Sequence, residues 1–379
     1  MITYRMADAR DMENIIDFIN MVFSMLRVPH NFETLLPKVY AKEFGIADIH
    51  AIAEEDGKIF GCVAMYEFPL RVGDTMLRVG YIGSVSAHPR VRGKGVMAAL
   101  MQMQLARARE RGLDLLALGG QRQRYQYYGF ETGGETYLYS IGRSNVRHAL
   151  ADCETDGLAF ARMTRADVAR ALALYDAQCV AGARTEKNFI ATLESYHRQA
   201  WKVEKNGAFA GYISSTEDST HLGEIAMADE TMILPAIKAW MLEKDIRLLH
   251  VNAAPHDVAL GNRLAPVCED CSINANCMIR VLRPESVLRA YMKLKDSIEP
   301  LEKGEYVLGW EGLGAYMLSV SEEGICAEKT ECEPQAWLTG IQAHRLLFGH
   351  NRFGLAKAGC AAPRGWFPLP LYIPEPDSF

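Results

Sequence analysis

The stretch that most constrains the fold of this chain runs from Tyr81 to Phe130. An apolar run from Ile82 to Ala87 reads as a strand, and Arg90-Val91-Arg92-Gly93-Lys94-Gly95 as a turn carrying two glycines. Apolar-periodic residues from Val96 onward read as a long helix. A short second strand and an aromatic turn, Tyr125-Gln126-Tyr127-Tyr128-Gly129-Phe130, complete the stretch. A strand that enters a helix through glycines is built to meet an anion. Glycine lets the backbone approach a ligand closely, and the first N–H groups of the helix have no intrahelical partner and the macrodipole behind them. An acidic, phosphate-bearing ligand is expected. At average glycine usage a match to Arg-x-x-Gly-x-Gly arises by chance in about one chain in five of this length, so the pattern alone decides little. Its position between strand and helix, with the aromatic turn following, decides more.

Composition narrows the rest. The chain has 379 residues, 49% hydrophobic and 23% charged, which fits two or three globular domains and no disordered class. A net charge of -6 argues against nucleic acid as a partner and suits a neutral or cationic small molecule. The nine cysteines (62, 153, 179, 268, 271, 277, 326, 332 and 360) are odd in number and scattered. The start MITYRMADARD is charged from the outset, so reduced thiols and a cytoplasmic setting are expected. Cys268-Glu269-Asp270-Cys271, with Cys277, has one metal-like spacing but no second pair and no histidines at ligand spacing, so no metal site is expected. No apolar run reaches the about 18 residues a membrane span needs, and no membrane association is expected.

In chain order, Ile2 to Arg5 reads as an edge strand and Ala7 to Phe23 as a helix with Met12, Ile15, Ile16, Ile19 and Phe23 on one face. A second helix is expected from Asn31, a good N-cap, through Tyr40. Alternating runs on either side of Asp56-Gly57 predict a hairpin, the first turn of an antiparallel meander leading into the Tyr81 strand. The second third of the chain repeats this plan. Arg5-Met6-Ala7 is echoed by Arg162-Met163-Thr164, and Glu54 to Gly61 by Glu204 to Gly211, glycine for glycine. Where the first copy has its glycine turn, the second has Asp229-Glu230, which suit a helix N-terminus but repel a phosphate.

Past Arg283-Pro284 the pattern changes. A helix is expected from Pro284 to Lys293, strands around Tyr306 to Trp310 and Ala315 to Val320, and a helix from about Pro334 to Leu347. The last residues, Trp366 to Phe379, are apolar and stiffened by four prolines, whereas most termini are polar and frayed. This tail is expected to dock. The domains expected are therefore 1–150, 151–283 and 284–379, of mixed α/β (α+β) class: two copies of a mostly antiparallel sheet with flanking helices, then a smaller α+β unit.

The strand, glycine turn, helix and aromatic turn resemble the acetyl-CoA site of the GNAT N-acetyltransferases. With a degenerate second copy and a third domain ending in an aromatic residue, the whole chain resembles the enhanced intracellular survival (Eis) family. That resemblance implies a sterol-carrier-like third domain, a hexamer, and acetyl transfer to an aminoglycoside or another small molecule bearing several amines. It implies acetyl-CoA held by Val85, Ser86, Ala87, Arg90, Val91, Arg92, Gly93, Lys94, Gly95 and Val96. It also implies Tyr125 as general acid and the terminal carboxylate of Phe379 as general base. Arg124 departs from the family pattern, in which an apolar residue precedes the tyrosine.

The chemistry agrees with this assignment of roles. Acyl transfer from a thioester needs a neutral amine, a polarised carbonyl and a proton for the departing thiolate. A phenol, with a pKa near 10, is matched to an alkyl thiol, and a desolvated α-carboxylate becomes a better base. His88 is a second candidate base, although its place before Pro89 suits a structural role. Tyr127 and Tyr128 read as packing aromatics. Lys94, Arg122 and Arg124 either meet phosphates or are solvated. Two other readings fit the same residues: transfer to a protein or peptide amine, and a sensor that binds CoA or lipid without turnover.

Overall fold

Residues 1–25, 28–349 and 362–379 are described by the computed structural model. The first part supplies strands β1 (Thr3–Met6), β2 (His50–Glu55), β3 (Lys58–Val72), β4 (Thr75–Ala87), β5 (Leu115–Leu118) and β6 (Glu131–Gly142). Its helices are α1 (Met12–Ser24), α2 (Phe32–Leu35), α3 (Pro37–Tyr40), α4 (Val96–Glu110) and α5 (Arg122–Tyr125). The Asp56-Gly57 hairpin forms as expected, with φ values of 52° and 72° that a primed turn requires. α1 buries Ile15, Phe18, Ile19 and Val22, spaced to lie along one stripe. Asn31 caps α2 through its side chain, but the expected second helix breaks in two at Leu36, because Pro37 disfavours helical backbone in the residue before it.

After the linking helix α6 (Arg143–Arg147), the second part repeats the plan with β7 (Leu158–Arg162), β8 (Val180–Gly182), β9 (Arg198–Lys205), β10 (Ala208–Thr216), β11 (His221–Met227), β12 (Leu248–Ala253) and β13 (Asp270–Val281). Its helices are α7 (Arg165–Asp176), α8 (Phe189–Leu193), α9 (Ile233–Glu243) and α10 (Val258–Leu264). The repeated hairpin turns at Asn206-Gly207, φ 53° and 80°. Asp229 accepts from the Thr231 N–H at 2.9 Å, taking the N-cap role expected of it.

Both parts share one mostly antiparallel sheet of thirteen strands among the described residues, ordered β1-β2-β3-β4-β5-β13-β6-β12-β11-β10-β9-β7, with β8 on the far end of β3. β13 lies between β5 and β6: Met278 to Val281 pair with Leu115 to Leu118 on one side, and β6 takes the other. The sheet therefore runs through residue 150 without a break.

The third part holds α11 (Pro284–Ile298), β14 (Gly304–Trp310), β15 (Gly314–Ser321), β16 (Gly324–Thr330), β17 (Ala336–Leu338) and α12 (Gly340–Phe348), with a second sheet ordered β16-β15-β14-β17. α12 starts later than expected. Ala336–Leu338 pair with β14, and the reciprocal cap between Thr339 and Gln342 fixes the helix start. One apolar core joins α1, β3, β4, α11, β14 and the tail residues Trp366, Phe367, Leu369, Leu371, Ile373 and Phe379. A second lies under α4 and includes Tyr125. The eight described cysteines are all free, and Cys360 lies outside the described residues. Among the described residues no helix is long and apolar enough to cross a membrane.

Candidate active site

The site grows from the end of β4. β4 and β5 run parallel and pair from Val79 with Leu115 to Ile82 with Leu118. β5 then stops while β4 continues to Ala87. At this point β4 also bulges: Cys62 pairs with Ser86 and Ala64 with Gly83, so Ser84 and Val85 oppose the single residue Val63, and Ser84 takes a φ of 51°. The strands part, leaving the β5-facing edge of Val85 to Ala87 without a strand partner among the described residues. Main-chain groups on such an edge can pair with an extended ligand.

The turn that follows is set by its glycines. Gly93 and Gly95 have φ values of 76° and 78°, in the left-handed region, and an added Cβ at either would meet nothing within 4 Å. Glycine is therefore required by conformation, and the space above it stays open to a ligand. Gly95 opens α4, accepting the first helical bond from the Ala99 N–H at 3.0 Å. A cleft of about 580 Å³ is lined by Val85, Ser86, Ala87, Val91, Arg92, Gly93, Gly95 and Val96, together with Val22, Phe23, Arg124 and Tyr128. Of the cofactor positions read from the sequence, all but Arg90 and Lys94 line it. This geometry fits a pyrophosphate at the helix N-terminus and a pantetheine-like chain along β4.

Tyr125 ends α5, with its ring against Gly120, and is buried. Burial raises its pKa above the ordinary phenol value, Arg124 acting the other way, so the hydroxyl keeps its proton at neutral pH. Tyr128 lines the cleft, whereas Tyr127, expected to pack, is 82% exposed because the turn aims it outward. Arg122 is engaged by Glu131 through both of its carboxylate oxygens. The ring of His88 accepts from the Arg90 N–H at 3.1 Å and packs edge-on against Phe60, a structural placement.

Phe379 reaches the opposite face of β4. Its ring lies 6.2 Å from that of Tyr40 and 5.9 Å from that of Tyr66, and rests on Gly83, where an added Cβ would come within 2.6 Å of it. Tyr125 and Phe379 thus lie in different cores, and neither is among the residues that line the cleft.

The sequence reading missed two polar constellations here. His50 Nδ1 stands 2.9 Å from Ala47 O, a pure acceptor, so that nitrogen carries the proton. His50 Nε2 then accepts from the Tyr40 hydroxyl at 3.0 Å, and Tyr40 accepts from the Ser84 hydroxyl at 2.5 Å. Burial pushes the His50 pKa down to about 4, which keeps the ring neutral and the chain of donors fixed. The second constellation holds the tail. Arg184 donates to both oxygens of Glu224 at 2.8 Å and to Asp377 at 2.9 Å, Tyr175 donates to Asp377 at 2.6 Å, and Tyr212 donates to Glu224 at 2.5 Å. Lys38 Nζ donates to the carbonyls of Pro376 and Ser378. No local pattern marks these residues, since their partners are separated by tens to hundreds of positions.

Residues 3–133 match the family described as acetyltransferase (GNAT) domain. That domain contains the bulged β4, the glycine turn, α4 and Tyr125. No curated protein sequence matches the chain. Several solved structures share its fold over nearly the full length. A GCN5-related N-acetyltransferase from Kribbella flavida is 18% identical with a TM-score of 0.64, covering 91% of this chain and 89% of its own. A probable N-acyltransferase from Enterococcus faecalis V583 is 16% identical with a TM-score of 0.67, at 92% and 90% coverage. Eis1 from Mycobacterium abscessus is 15% identical with a TM-score of 0.64, at 100% of both chains. The shared fold thus spans the tandem sheet and the C-terminal part, while the match to the acetyltransferase (GNAT) domain ends at residue 133.

Proposed function

We propose that this protein transfers the acetyl group of acetyl-CoA to a primary amine of a small molecule bearing several amines, an aminoglycoside or polyamine. The observation that carries the reading is the cleft at the parted β4 and β5, floored by Gly93 and Gly95 and the N-terminus of α4. Arg90 and Lys94, exposed on the same turn, add positive charge near the phosphates. The amine nitrogen attacks the thioester carbon, the C–S bond breaks, and the thiolate takes the proton of Tyr125. The terminal carboxylate of Phe379 takes the proton that the amine releases. Ser84, hydrogen-bonded to Tyr40, lies at the β4 bulge. The C-terminal part is proposed as sterol-carrier-like, and the assembly as a hexamer whose mass light scattering would read.

The test is thiol release from acetyl-CoA with polyamines, aminoglycosides and amino-terminal peptides, using the protein beside a form with one glycine added after Phe379. Turnover with the amines, lost on extension while acetyl-CoA still binds, is the expected result. Equal activity of both forms removes the carboxylate from the mechanism. Binding without turnover of any acceptor replaces the enzyme by a sensor, and turnover confined to peptides replaces the small-molecule acceptor.

A further inference from the structure

The second part of the chain has lost the glycine turn, yet it carries buried charge that a scaffold alone does not need. Arg184 is 6% exposed and Glu224 8%, and Arg184 reaches the tail at Asp377. Arg184 spans Glu224, on its own sheet, and Asp377, with its guanidinium 3.6 Å from the centre of the Tyr175 ring. One step earlier in the tail, Glu375 is bound by Arg198 and by Asn252, the latter at 2.5 Å. All of these grips come from the second part. From the first part the answering grip comes from Lys38 of α3, which is 2% exposed, beside a side-chain hydrogen bond between Tyr81 of β4 and Ser378. The Lys38 ammonium donates to Pro376 O at 2.6 Å and to Ser378 O, two carbonyls of the same tail turn. Among the described residues no carboxylate lies within ion-pair distance of Lys38 Nζ, so main-chain carbonyls supply its only hydrogen bonds there.

A buried ammonium satisfied by two carbonyls of one short segment fixes that segment far more tightly than apolar packing would. The segment so fixed directly precedes Phe379, whose ring sits on Gly83 at the β4 bulge. We propose that Lys38 and Arg184 form a two-sided clamp on residues 376–378, and that Lys38 is a positioning residue holding Phe379 in register with the bulge. The degenerate second part then serves as the outer jaw. This inference rests on the role given to Phe379 above.

The experiment compares the full chain with its Lys38→Met and Lys38→Gln forms by hydrogen exchange and by steady-state kinetics. Methionine keeps the length and volume without a donor, whereas glutamine keeps two N–H donors without the charge. In K38M, amides of the peptide covering residues 366–379 are expected to exchange at least about tenfold faster, while peptides of α4 are unchanged. The KM for acetyl-CoA is expected to stay within about twofold and kcat to fall at least about tenfold, with K38Q recovering most of both losses. A structural role alone would loosen the α4 peptides and the tail together and would not be rescued by glutamine. Unchanged tail protection in both variants overturns the clamp. A loosened tail with undiminished kcat overturns the positioning role and, with it, the use of Phe379 in the reaction. Absence of turnover in the wild type, with the tail still protected, would count against the proposed function instead.

Discussion

At the scale of single residues, the two roles proposed for Tyr125 and Lys38 separate cleanly by experiment. Tyr125 is buried in the core under α4, at the end of α5 and next to Arg124, which lines the cleft, and burial raises its pKa. Tyr125→Phe keeps the ring and removes only the proton. Loss of a general acid is expected to lower kcat by about 10²- to 10⁴-fold, with acetyl-CoA affinity by calorimetry unchanged. Equal losses of affinity and rate would make Tyr125 a packing residue. Lys38 leaves a signature in stability. Burial lowers its pKa from 10.5 in the unfolded chain to about 7 in the folded one. Between those values the unfolded chain binds the extra proton. The cost of burying the charge is therefore full below about pH 7 and is relieved as pH rises toward 10.5. Urea unfolding at pH 7 and at about pH 9 should show the wild type gaining on Lys38→Met by up to about 1.4 kcal/mol per pH unit. Parallel pH profiles for the two proteins would place the Lys38 ammonium in solvent.

At the scale of elements, what could be read ahead of the structure is what local chemistry dictates. Asp56-Gly57 and Asn206-Gly207 are dictated by the backbone signs of a primed turn, and Gly93 and Gly95 by the left-handed conformation at the start of α4. The tail was visible as an apolar, proline-rich anomaly, although what it meets was not. Pairings made over long distances in sequence leave no local trace. The placing of β13 beside β5, the Lys38 contacts more than 300 positions away, and the Ser84–Tyr40–His50 chain all belong to that kind. Pro334 drew the expected start of α12 too early, because Ala336–Leu338 found a strand partner in β14. Two glycines on the same segment make a contrasting prediction. At Gly83 an added Cβ would lie 2.6 Å from the Phe379 ring, whereas at Gly93 it would meet nothing, and only the φ of 76° would resist it. Gly83→Ala should therefore cut turnover at least about tenfold with acetyl-CoA binding intact, by displacing the ring. Gly93→Ala should cost about 1–2 kcal/mol of backbone strain and weaken acetyl-CoA binding first. Isothermal titration beside the thiol assay separates the two, and a reversed pattern would place the cofactor elsewhere.

At the scale of the whole molecule, the parts are joined by charge as much as by apolar packing. Removing the Arg184 guanidinium strands the carboxylates of Glu224 and Asp377, on different parts of the chain, in a buried place. Arg184→Met is expected to destabilise by about 3–5 kcal/mol in urea, and Arg184→Met with Glu224→Gln and Asp377→Asn to recover much of that loss. A loss under about 1 kcal/mol would mean that water reaches the cluster. The placing of β13 has a separate bearing on how the protein is made. A ribosome that has released the first 150 residues has supplied β5 and β6 but not the strand that belongs between them, and that strand ends only at Val281. Until then the nascent chain carries two open strand edges with unpaired amides and carbonyls, the kind of surface on which chains join one another. Slow translation before residue 281 should therefore favour aggregates over soluble protein, and no truncation near residue 150 should yield a well-behaved fragment.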